Sequence, residues 1–266
     1  MWEKYTARFT FEIKYNIIIK GGDYLKTLVL SDVHANAPAL RAVLQKAGKC
    51  DRIIFLGDLA NFGPHPAECV EILKETRPIC IMGNHDEQIA SETPKNFWDK
   101  WSRQQLREDQ LKWISTFKDM CVLDGHILLV HGSYEVDYDI LPNTPDKDIQ
   151  TAFKHLLTPE IDQVWFGHYH YQVDRTIDGI NYHCIRPVGH HRDKDPRASY
   201  YFYEDGVLTQ HRVKYELSKT IQDFKNLNIF DEGERKQQFV ELLQNAFEEN
   251  LLKKDIEQMQ KNQRAR

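Results

Sequence analysis

The feature that most constrains the fold is a series of short, largely apolar runs in the first third of the chain, with helix signals between them. The runs at 27–30, 52–56 and 78–82 each stop at a polar or glycine residue, which is typical of buried strands. Residues 37–47 and 66–75 each carry a proline in the first turn, where a helix tolerates it. The order strand, helix, strand, helix, strand predicts a parallel sheet covered by helices.

The second half of the chain changes to an antiparallel or mixed pattern. Asp-Gly pairs begin at Asp124, Asp178 and Asp205, each between two strand-like runs, and such pairs favour type I′ hairpin turns. Residues 95–117 are predicted to be mostly helical, and so are residues 218–266. We therefore expect an α/β fold, a four-layer α-β-β-α sandwich of two mixed β-sheets flanked by helices.

The two ends of the chain are expected to lie outside the folded domain, which spans residues 25–247. Residues 1–24 have no apolar core of a signal peptide. The codons for Lys20-Gly21-Gly22-Asp23 can form a bacterial ribosome-binding site, and a TTG codon for Leu25 can serve as the start codon. We expect residues 1–24 to be an upstream extension that the natural protein lacks; a real N-terminal strand or strap is the alternative. Residues 248–266 are expected to form a charged helical tail, either a solvated helix end or a partner-binding helix.

Polar residues that can bind metal ions directly follow five of the predicted strands. Ligand sites in α/β sheets lie at the carboxyl ends of strands, so we expect these residues to meet along one rim. The set comprises Asp32, His34, Asp58, Asn84, His131, His168 and His170. Carboxylate, carbonyl and imidazole donors without a thiolate suit manganese, iron, zinc or nickel. Seven ligands exceed the four of a tetrahedral zinc site and suit two divalent ions that share one carboxylate.

This ordered set resembles the calcineurin-like metallophosphoesterase superfamily from residue 27 to about residue 247. The superfamily pattern DxH, GD, GNH[DE], H and GHxH is present in order. The resemblance implies two metal sites with these ligands: Asp32, His34 and His170 for one, Asn84, His131 and His168 for the other, and Asp58 bridging both. It also implies that a hydroxide bridging the metals is the nucleophile, that His85 contacts the phosphate and protonates the leaving group, and that Asp86 orients His85 through a hydrogen bond.

The segment from Gly57 to Gly63 bears on the branch of the superfamily. Phe62 stands where the protein Ser/Thr phosphatases and the symmetrical diadenosine tetraphosphate hydrolases have a phosphate-binding Arg, and Asp86 stands where the protein phosphatases have Glu. Both roles are therefore disfavoured. The segments Gly63-Pro64-His65-Pro66 and 193–200 instead resemble a small bacterial and archaeal phosphodiesterase group.

The chain departs from that group in the segment before residue 193. His190 and His191 stand where the group has Gln-Pro, and Cys184-Ile185-Arg186-Pro187 replaces Asn-Pro-Gly-Ser. Arg186, His190 and His191 are candidates for a local cationic patch that binds a phosphate or nucleotide; loop drift without a role is the alternative. Asn61, three residues after Asp58, is a further candidate substrate residue.

These implications predict a dinuclear metal-dependent phosphoesterase. A phosphodiesterase acting on a small phosphate ester or nucleotide is favoured, with two divalent ions per chain and Mn²⁺ as the first expected metal. The alternatives are a phosphomonoesterase on the same site, a non-catalytic metal-binding scaffold and a polynucleotide nuclease. The complete ligand set and His85 argue against the scaffold. A formal net charge of −5 and the lack of a basic run argue against nucleic-acid binding.

The cysteines and the apolar runs bear on the compartment. Five widely spaced cysteines with no CxxC form neither a disulfide framework nor a thiolate zinc site. No apolar run approaches the ~20 residues that span a bilayer. We expect a reduced, cytoplasmic compartment and no membrane partner. A homodimer is a further candidate, with the apolar residues of 95–113 as its surface.

Overall fold

The computed structural model describes these parts of the chain: 16–17, 25–133, 135–136, 138–227 and 234–246. Apart from the two-residue strand at 16–17, the predicted upstream extension lies outside the described residues, and so does the predicted tail. Both remain predictions.

Eleven strands are found in the described part of the chain. They are β1 (Asn16–Ile17), β2 (Thr27–Leu30), β3 (Arg52–Phe55), β4 (Ile79–Cys80), β5 (Met120–Leu123), β6 (Ile127–Val130), β7 (Gln163–Phe166), β8 (Asp174–Ile177), β9 (Ile180–Cys184), β10 (Ala198–Glu204) and β11 (Val207–Val213).

Eight α-helices accompany these strands within the same described ranges. They are α1 (Ala37–Ala47), α2 (Pro66–Glu75), α3 (Asn84–Ala90), α4 (Phe97–Gln104), α5 (Glu108–Ile114), α6 (Asp146–Phe153), α7 (Leu217–Lys225) and α8 (Glu234–Asn245). None of them has the length and apolarity that crossing a bilayer requires.

The helical stretch predicted for 95–117 is two helices, α4 and α5. The break falls where Arg107 caps α5 and the side chain of Gln110 reaches back to accept the Arg107 backbone N–H at 3.0 Å. Helices α3 and α6 have no counterpart among the predicted elements. The homodimer surface stays a prediction: Phe97 is half exposed, whereas Trp98 and Trp101 pack edge to face with ring centroids 5.8 Å apart.

The strands form two mixed sheets, which confirms the predicted fold class. The first sheet has the order β11–β10–β2–β3–β4, in which β2, β3 and β4 are parallel and β10 pairs antiparallel with β2 and β11. The second has the order β1–β5–β6–β7–β9–β8, in which β6, β7 and β9 are parallel. In two of the hairpins, both residues of the Asp-Gly turn have a left-handed backbone, as a type I′ turn requires. The φ angles are 49° and 84° for Asp178 and its glycine, and 52° and 79° for Asp205 and its glycine.

Both faces of the central strands are buried, which accounts for the layers. Val29 and Ile54 belong to a cluster that also contains Leu129 and Trp165 of the second sheet, so they face the space between the sheets. Neighbouring strand residues point the opposite way because side chains alternate along a strand. Leu28 accordingly joins the cluster that includes the apolar residues of α1 and α2. The sheets therefore pack on each other, with helices outside.

An ion pair joins the two sheets at the end opposite the candidate site. The Arg52 guanidinium, at the start of β3, donates to both oxygens of Asp124 at 2.9 and 2.8 Å, and Asp124 lies in the β5–β6 turn. Arg52 also donates through Nε to Thr27 Oγ1 at 3.0 Å. The Arg52 side chain is only 7% exposed, so the carboxylate is the partner that makes its burial tolerable.

We expect Arg52→Met to lower the free energy of unfolding by about 2 kcal/mol, because it removes the bidentate ion pair with Asp124 and leaves the buried Thr27 hydroxyl without its donor. Urea unfolding followed by tryptophan fluorescence measures this change. The control is Arg41→Met, because Arg41 pairs with Glu68 on the surface, where the two side chains are 61% and 42% exposed. That variant should change stability by less than about 0.5 kcal/mol. Equal effects of the two substitutions would contradict the assigned role of Arg52.

Candidate metal centre

Five loops at the carboxyl ends of the strands carry the predicted metal ligands, and they meet at one rim of the sandwich. The ligands are Asp32 and His34 after β2, Asp58 after β3, Asn84 at the start of α3, His131 after β6, and His168 and His170 after β7. The first sheet thus supplies three loops and the second supplies two. All seven side chains come together in two overlapping groups.

The first group consists of Asp32, His34 and His170. His34 Nε2 lies 3.0 Å from His170 Nε2, which lies 3.2 Å from Asp32 Oδ1, and the His34 nitrogen lies 3.6 Å from the same oxygen. Two donors bound at ~2.1 Å to one ion and at right angles to each other lie about 3.0 Å apart. The three atoms are therefore spaced as ligands of one ion.

The second group consists of Asn84, His131 and His168 with Asp58. Asn84 Oδ1 lies 3.2 Å from His131 Nε2 and 2.9 Å from His168 Nδ1. Asp58 Oδ2 lies 3.3 Å from His131 Nε2. Asp58 also forms a tight group with Asp32 and His34, in which the donor atoms lie within 4.8 Å of one another. Its carboxylate is therefore placed to be shared between two ions.

Hydrogen bonds behind two imidazoles fix which ring nitrogen faces the site. His34 donates through Nδ1 to Asn61 Oδ1 at 2.6 Å, and His131 donates through Nδ1 to the Leu56 carbonyl at 2.6 Å. Because each Nδ1 carries the proton, the neutral ring turns the lone pair of Nε2 toward the site, as a metal ligand requires. The donor set and its tautomers therefore fit divalent ions. Asn61 is fully buried behind His34, so its place is that of a ligand-orienting residue rather than the predicted substrate contact.

The two carboxylates of the site, Asp32 and Asp58, are almost fully buried. Burial alone would raise the pKa of Asp32, but His170 and His34 hold it well below its ordinary value. Burial would also raise the pKa of Asp58, but the nearby His131 and His85 lower it below its ordinary value. Burial opposes a charge on His131, yet Asp58 raises the pKa of that imidazole to about 10. Both carboxylates are thus held ionised by positive charge, which protonated imidazoles or divalent ions can provide.

His85 lies beside the two groups and is held by a partner that the sequence did not reveal. Its backbone N–H donates to Asp58 Oδ1 at 3.0 Å, and its ring Nδ1 lies 2.9 Å from Asp99 Oδ1. Asp99 is fully buried on α4, where it also accepts a hydrogen bond from the side chain of Asn96. Burial lowers the pKa of His85, but Asp58 and Asp99 together raise it above the ordinary histidine value.

The prediction that Asp86 orients His85 is wrong. The Asp86 carboxylate accepts backbone N–H bonds from Asp58 at 2.7 Å, Leu59 at 2.9 Å and Gly83 at 3.1 Å. Asp86 occupies the third position of α3, where an acidic side chain turns back to its own helix cap, and adjacent helical side chains do not face each other. Burial and the Asp58 carboxylate raise the pKa of Asp86 to about 6, against the amide donors that stabilise its charge. Asp86 therefore clamps the second ligand loop to the third.

Several ligand positions have left-handed backbone conformations. Asp32, His34 and Asp58 have φ of 52°, 48° and 62°, and His168 and His170 have φ of 70° and 62°. Asp and His adopt this region more readily than most residues, although each instance carries some strain. The sharp turns that follow the strands therefore aim successive side chains into one small space.

A cleft of about 140 Å³ opens over the two groups and differs from the predicted cationic patch. Its wall includes Phe62, His85, His190 and Arg192. Burial and the neighbouring His170 and His34 lower the pKa of His190 well below its ordinary value, so its ring is not a cation.

Two of the residues predicted for that patch do not line the cleft. Arg186 pairs with Asp193 and Gln172 instead, and the ring of His191 donates through Nε2 to the Val188 carbonyl at 3.2 Å. Arg192 was missed, because its position beside the two histidines gave no indication of which side chain faces the cleft.

Comparisons with known proteins agree with this geometry. A family model described as calcineurin-like phosphoesterase matches residues 25–207, a range that contains every predicted ligand. An uncharacterized protein from Methanocaldococcus jannaschii is 24% identical over 224 residues, which cover 72% of this chain and 88% of that protein. A metallophosphoesterase crystal structure from Sphaerobacter thermophilus is 27% identical with a TM-score of 0.70, covering 84% of this chain and 100% of that one. A hypothetical protein from Pyrococcus horikoshii OT3 shares the fold, with 18% identity and a TM-score of 0.71 over 85% of this chain and 99% of that one.

We expect EDTA-stripped wild-type protein to take up about two Mn²⁺ or Zn²⁺ ions per chain, and Asp58→Asn to retain at most one tightly, because its carboxylate joins the two groups. Metal analysis after gel filtration gives the stoichiometry, and the metal-induced rise in melting temperature gives an independent readout. The control is Asp139→Asn, because Asp139 lines the cleft but belongs to neither group. Unchanged stoichiometry and affinity in Asp58→Asn would contradict a shared carboxylate.

Proposed function

Because the chain belongs to the calcineurin-like phosphoesterase family, we propose that it is a dinuclear metal-dependent phosphodiesterase that hydrolyses a small phosphate ester or nucleotide. The supporting observation is the position of Asp58 between two groups of metal-binding side chains, with the imidazole of His85 beside it. A carboxylate shared in this way is the usual basis of a two-metal site for displacement at phosphorus.

Two divalent ions would be held by the side chains already described. These are Asp32, His34, His170, Asn84, His131 and His168, with Asp58 common to both. When bound, the ions supply charge neutralisation at the phosphate oxygens and a lowered pKa of water. The mixed oxygen and nitrogen donors suit manganese, iron, zinc or nickel, and Mn²⁺ is the metal that we propose first.

His85 is the proposed general acid. The Asp99 carboxylate at 2.9 Å stabilises the protonated ring and fixes its orientation, because Nδ1 must donate to it. Asp58 and Asp99 raise the pKa of His85, which favours the protonated ring that a general acid needs. A proton delivered to the leaving oxygen removes the negative charge that develops there as the P–O bond breaks. Asp86 supports this arrangement indirectly, since it fixes the loop that carries Asp58 to the turn that carries His85.

The walls of the cleft favour a diester over a monoester. A phosphate diester carries one negative charge and two organic substituents, whereas a monoester carries up to two charges. Among the described residues, Arg192 is the one arginine or lysine that lines the cleft. The Phe62 ring lies 4.8 Å from the His85 ring, centroid to centroid, and presents an apolar surface beside the acid. A single arginine and an aromatic wall beside the metal-binding groups suit a monoanion with an organic group.

Side-by-side hydrolysis of bis-p-nitrophenyl phosphate and p-nitrophenyl phosphate tests the proposal, with EDTA-stripped protein before and after addition of Mn²⁺. Faster Mn²⁺-dependent turnover of the diester is expected. Faster turnover of the monoester would make the protein a phosphomonoesterase on the same site. No turnover of either compound by metal-loaded protein would contradict the proposal and favour a non-catalytic metal-binding scaffold.

We expect His85→Ala to lower kcat by about 10²- to 10⁴-fold with metal content retained, because it removes the acid. Asp99→Asn should lower kcat roughly tenfold to hundredfold, with a larger loss on esters whose leaving groups are more basic, since those depend most on the proton. The matched control is Asp223→Asn, which alters a second His–Asp pair, with His65 at 2.8 Å, outside the two metal-binding groups. An Asp99→Asn effect that is the same for all leaving groups would argue for a merely structural role.

We expect Arg192→Ala to raise KM for a diester about tenfold or more with a smaller effect on kcat, because it removes the cation of the cleft wall. Initial rates over a range of substrate concentrations separate the two constants. Arg186→Ala is the matched control and should leave KM within about twofold, because the Arg186 charge is already compensated by Asp193. The opposite ranking of the two variants would restore the patch predicted from the sequence.

A further inference from the structure

We propose that His190 is an additional protein ligand of the metal ion held by Asp32, His34 and His170. The proposal rests on the proposed two-metal function and extends it, since none of the motifs includes residue 190. It gives one ion of the pair three imidazoles, whereas the other has two.

The ring of His190 completes a cluster of three imidazoles. The ligand atoms of His34, His170 and His190 all lie within 4.8 Å of one another, and all three residues are buried. The ring centroids of His34 and His170 are 4.8 Å apart, and the centroid of His190 lies 5.0 Å from each of them. The three rings are therefore close enough for one ion to bind a nitrogen of each.

The loop that carries His190 is fixed to the loop that carries Asp32. The backbone N–H of Val188 donates to the Ser31 carbonyl at 2.9 Å, and that of Gly189 donates to the Asp32 carbonyl at 3.1 Å. A Cβ at Gly189 would overlap the carbonyl oxygen of Val33, so glycine permits this close approach. His190 is therefore held in place by backbone contacts that also position the first metal-binding group.

The neighbouring histidine shows that this placement is specific to residue 190. His191 is equally buried, at 4% exposure against 6% for His190, but it bonds to the Val188 carbonyl and belongs to none of the metal-binding groups among the described residues. His190 therefore faces the first metal-binding group, whereas His191 contacts the backbone of its own loop. His191 therefore offers a matched control for substitutions in this loop.

An extra imidazole has a chemical consequence for metal choice. Nitrogen donors raise the affinity for zinc, cobalt and nickel relative to manganese, which prefers oxygen. The ion bound with His190 should therefore be held more tightly and be more selective for these later metals than its neighbour. Removal of His190 should reduce the difference between the two sites.

Proton NMR of the protein loaded with two Co²⁺ ions tests the proposal without any assay of activity. Each cobalt-bound imidazole contributes one strongly shifted, solvent-exchangeable N–H signal. The proposal predicts five such signals in the wild type, from His34, His131, His168, His170 and His190. It predicts four in His190→Gln and five in His191→Gln. Four signals in the wild type, all retained in His190→Gln, would overturn the assignment.

Zinc affinity, measured by competition with a chromophoric chelator, provides a second test. His190→Gln should weaken one of the two zinc sites about tenfold or more, and His191→Gln should change both by less than about twofold. Equal losses in both variants would mean that only the loop had been disturbed, which would overturn the proposal. The wild-type signal count decides the question even if His190→Gln does not fold. Wild-type protein that binds no metal would instead refute the proposed function itself.

Discussion

The constraint on which the rest of the structure depends is the burial of two carboxylates, Asp32 and Asp58, in one small space. Buried carboxylates are tolerated only when hydrogen-bonded and paired with positive charge. The fold meets the first condition with nearby donors, among them Ser31 Oγ and the His168 backbone N–H to Asp32, at 2.5 and 3.2 Å. It meets the second with imidazoles that can carry protons or bind divalent ions.

The ligand loops continue the hydrogen bonding of the sheet beyond the ends of the strands. The Asp32 N–H donates to the Gly57 carbonyl at 2.9 Å, and the His34 N–H donates to the Asp58 carbonyl at 3.1 Å. A Cβ at Gly83 would overlap the Asp58 carboxylate. The loop after β4 therefore packs against the loop after β3 so closely that only glycine fits there. Main-chain contacts therefore fix the relative positions of the loops, and side-chain hydrogen bonds such as that between His34 and Asn61 orient the ligands. This explains how five separate loops can hold their ligands within hydrogen-bonding distance.

The sequence predicted those features that depend on short stretches of chain. The ligands follow strands directly, so the strand pattern places them at one rim, and the Asp-Gly pairs locate their hairpins. Features that depend on distant elements were missed or misassigned. Asp99 reaches His85 from another helix, 14 residues away, whereas adjacent Asp86 points to its own helix cap. The sequence does not distinguish Arg186 from Arg192. Arg186 is turned away from the cleft by its contacts with Asp193 and Gln172, and Arg192 is the arginine that lines the cleft.

The left-handed backbone at five of the seven predicted ligand positions stores conformational strain in the rim that carries the site. If each position stores about 1 kcal/mol, the rim holds a sizeable part of the 5–15 kcal/mol that stabilises an ordinary domain. Metal ions that bind only the folded chain offset that strain. A chain made during metal shortage would open at this rim more often and would be more exposed to proteases. Metal supply would then set the lifetime of the protein in the cell as well as its chemistry.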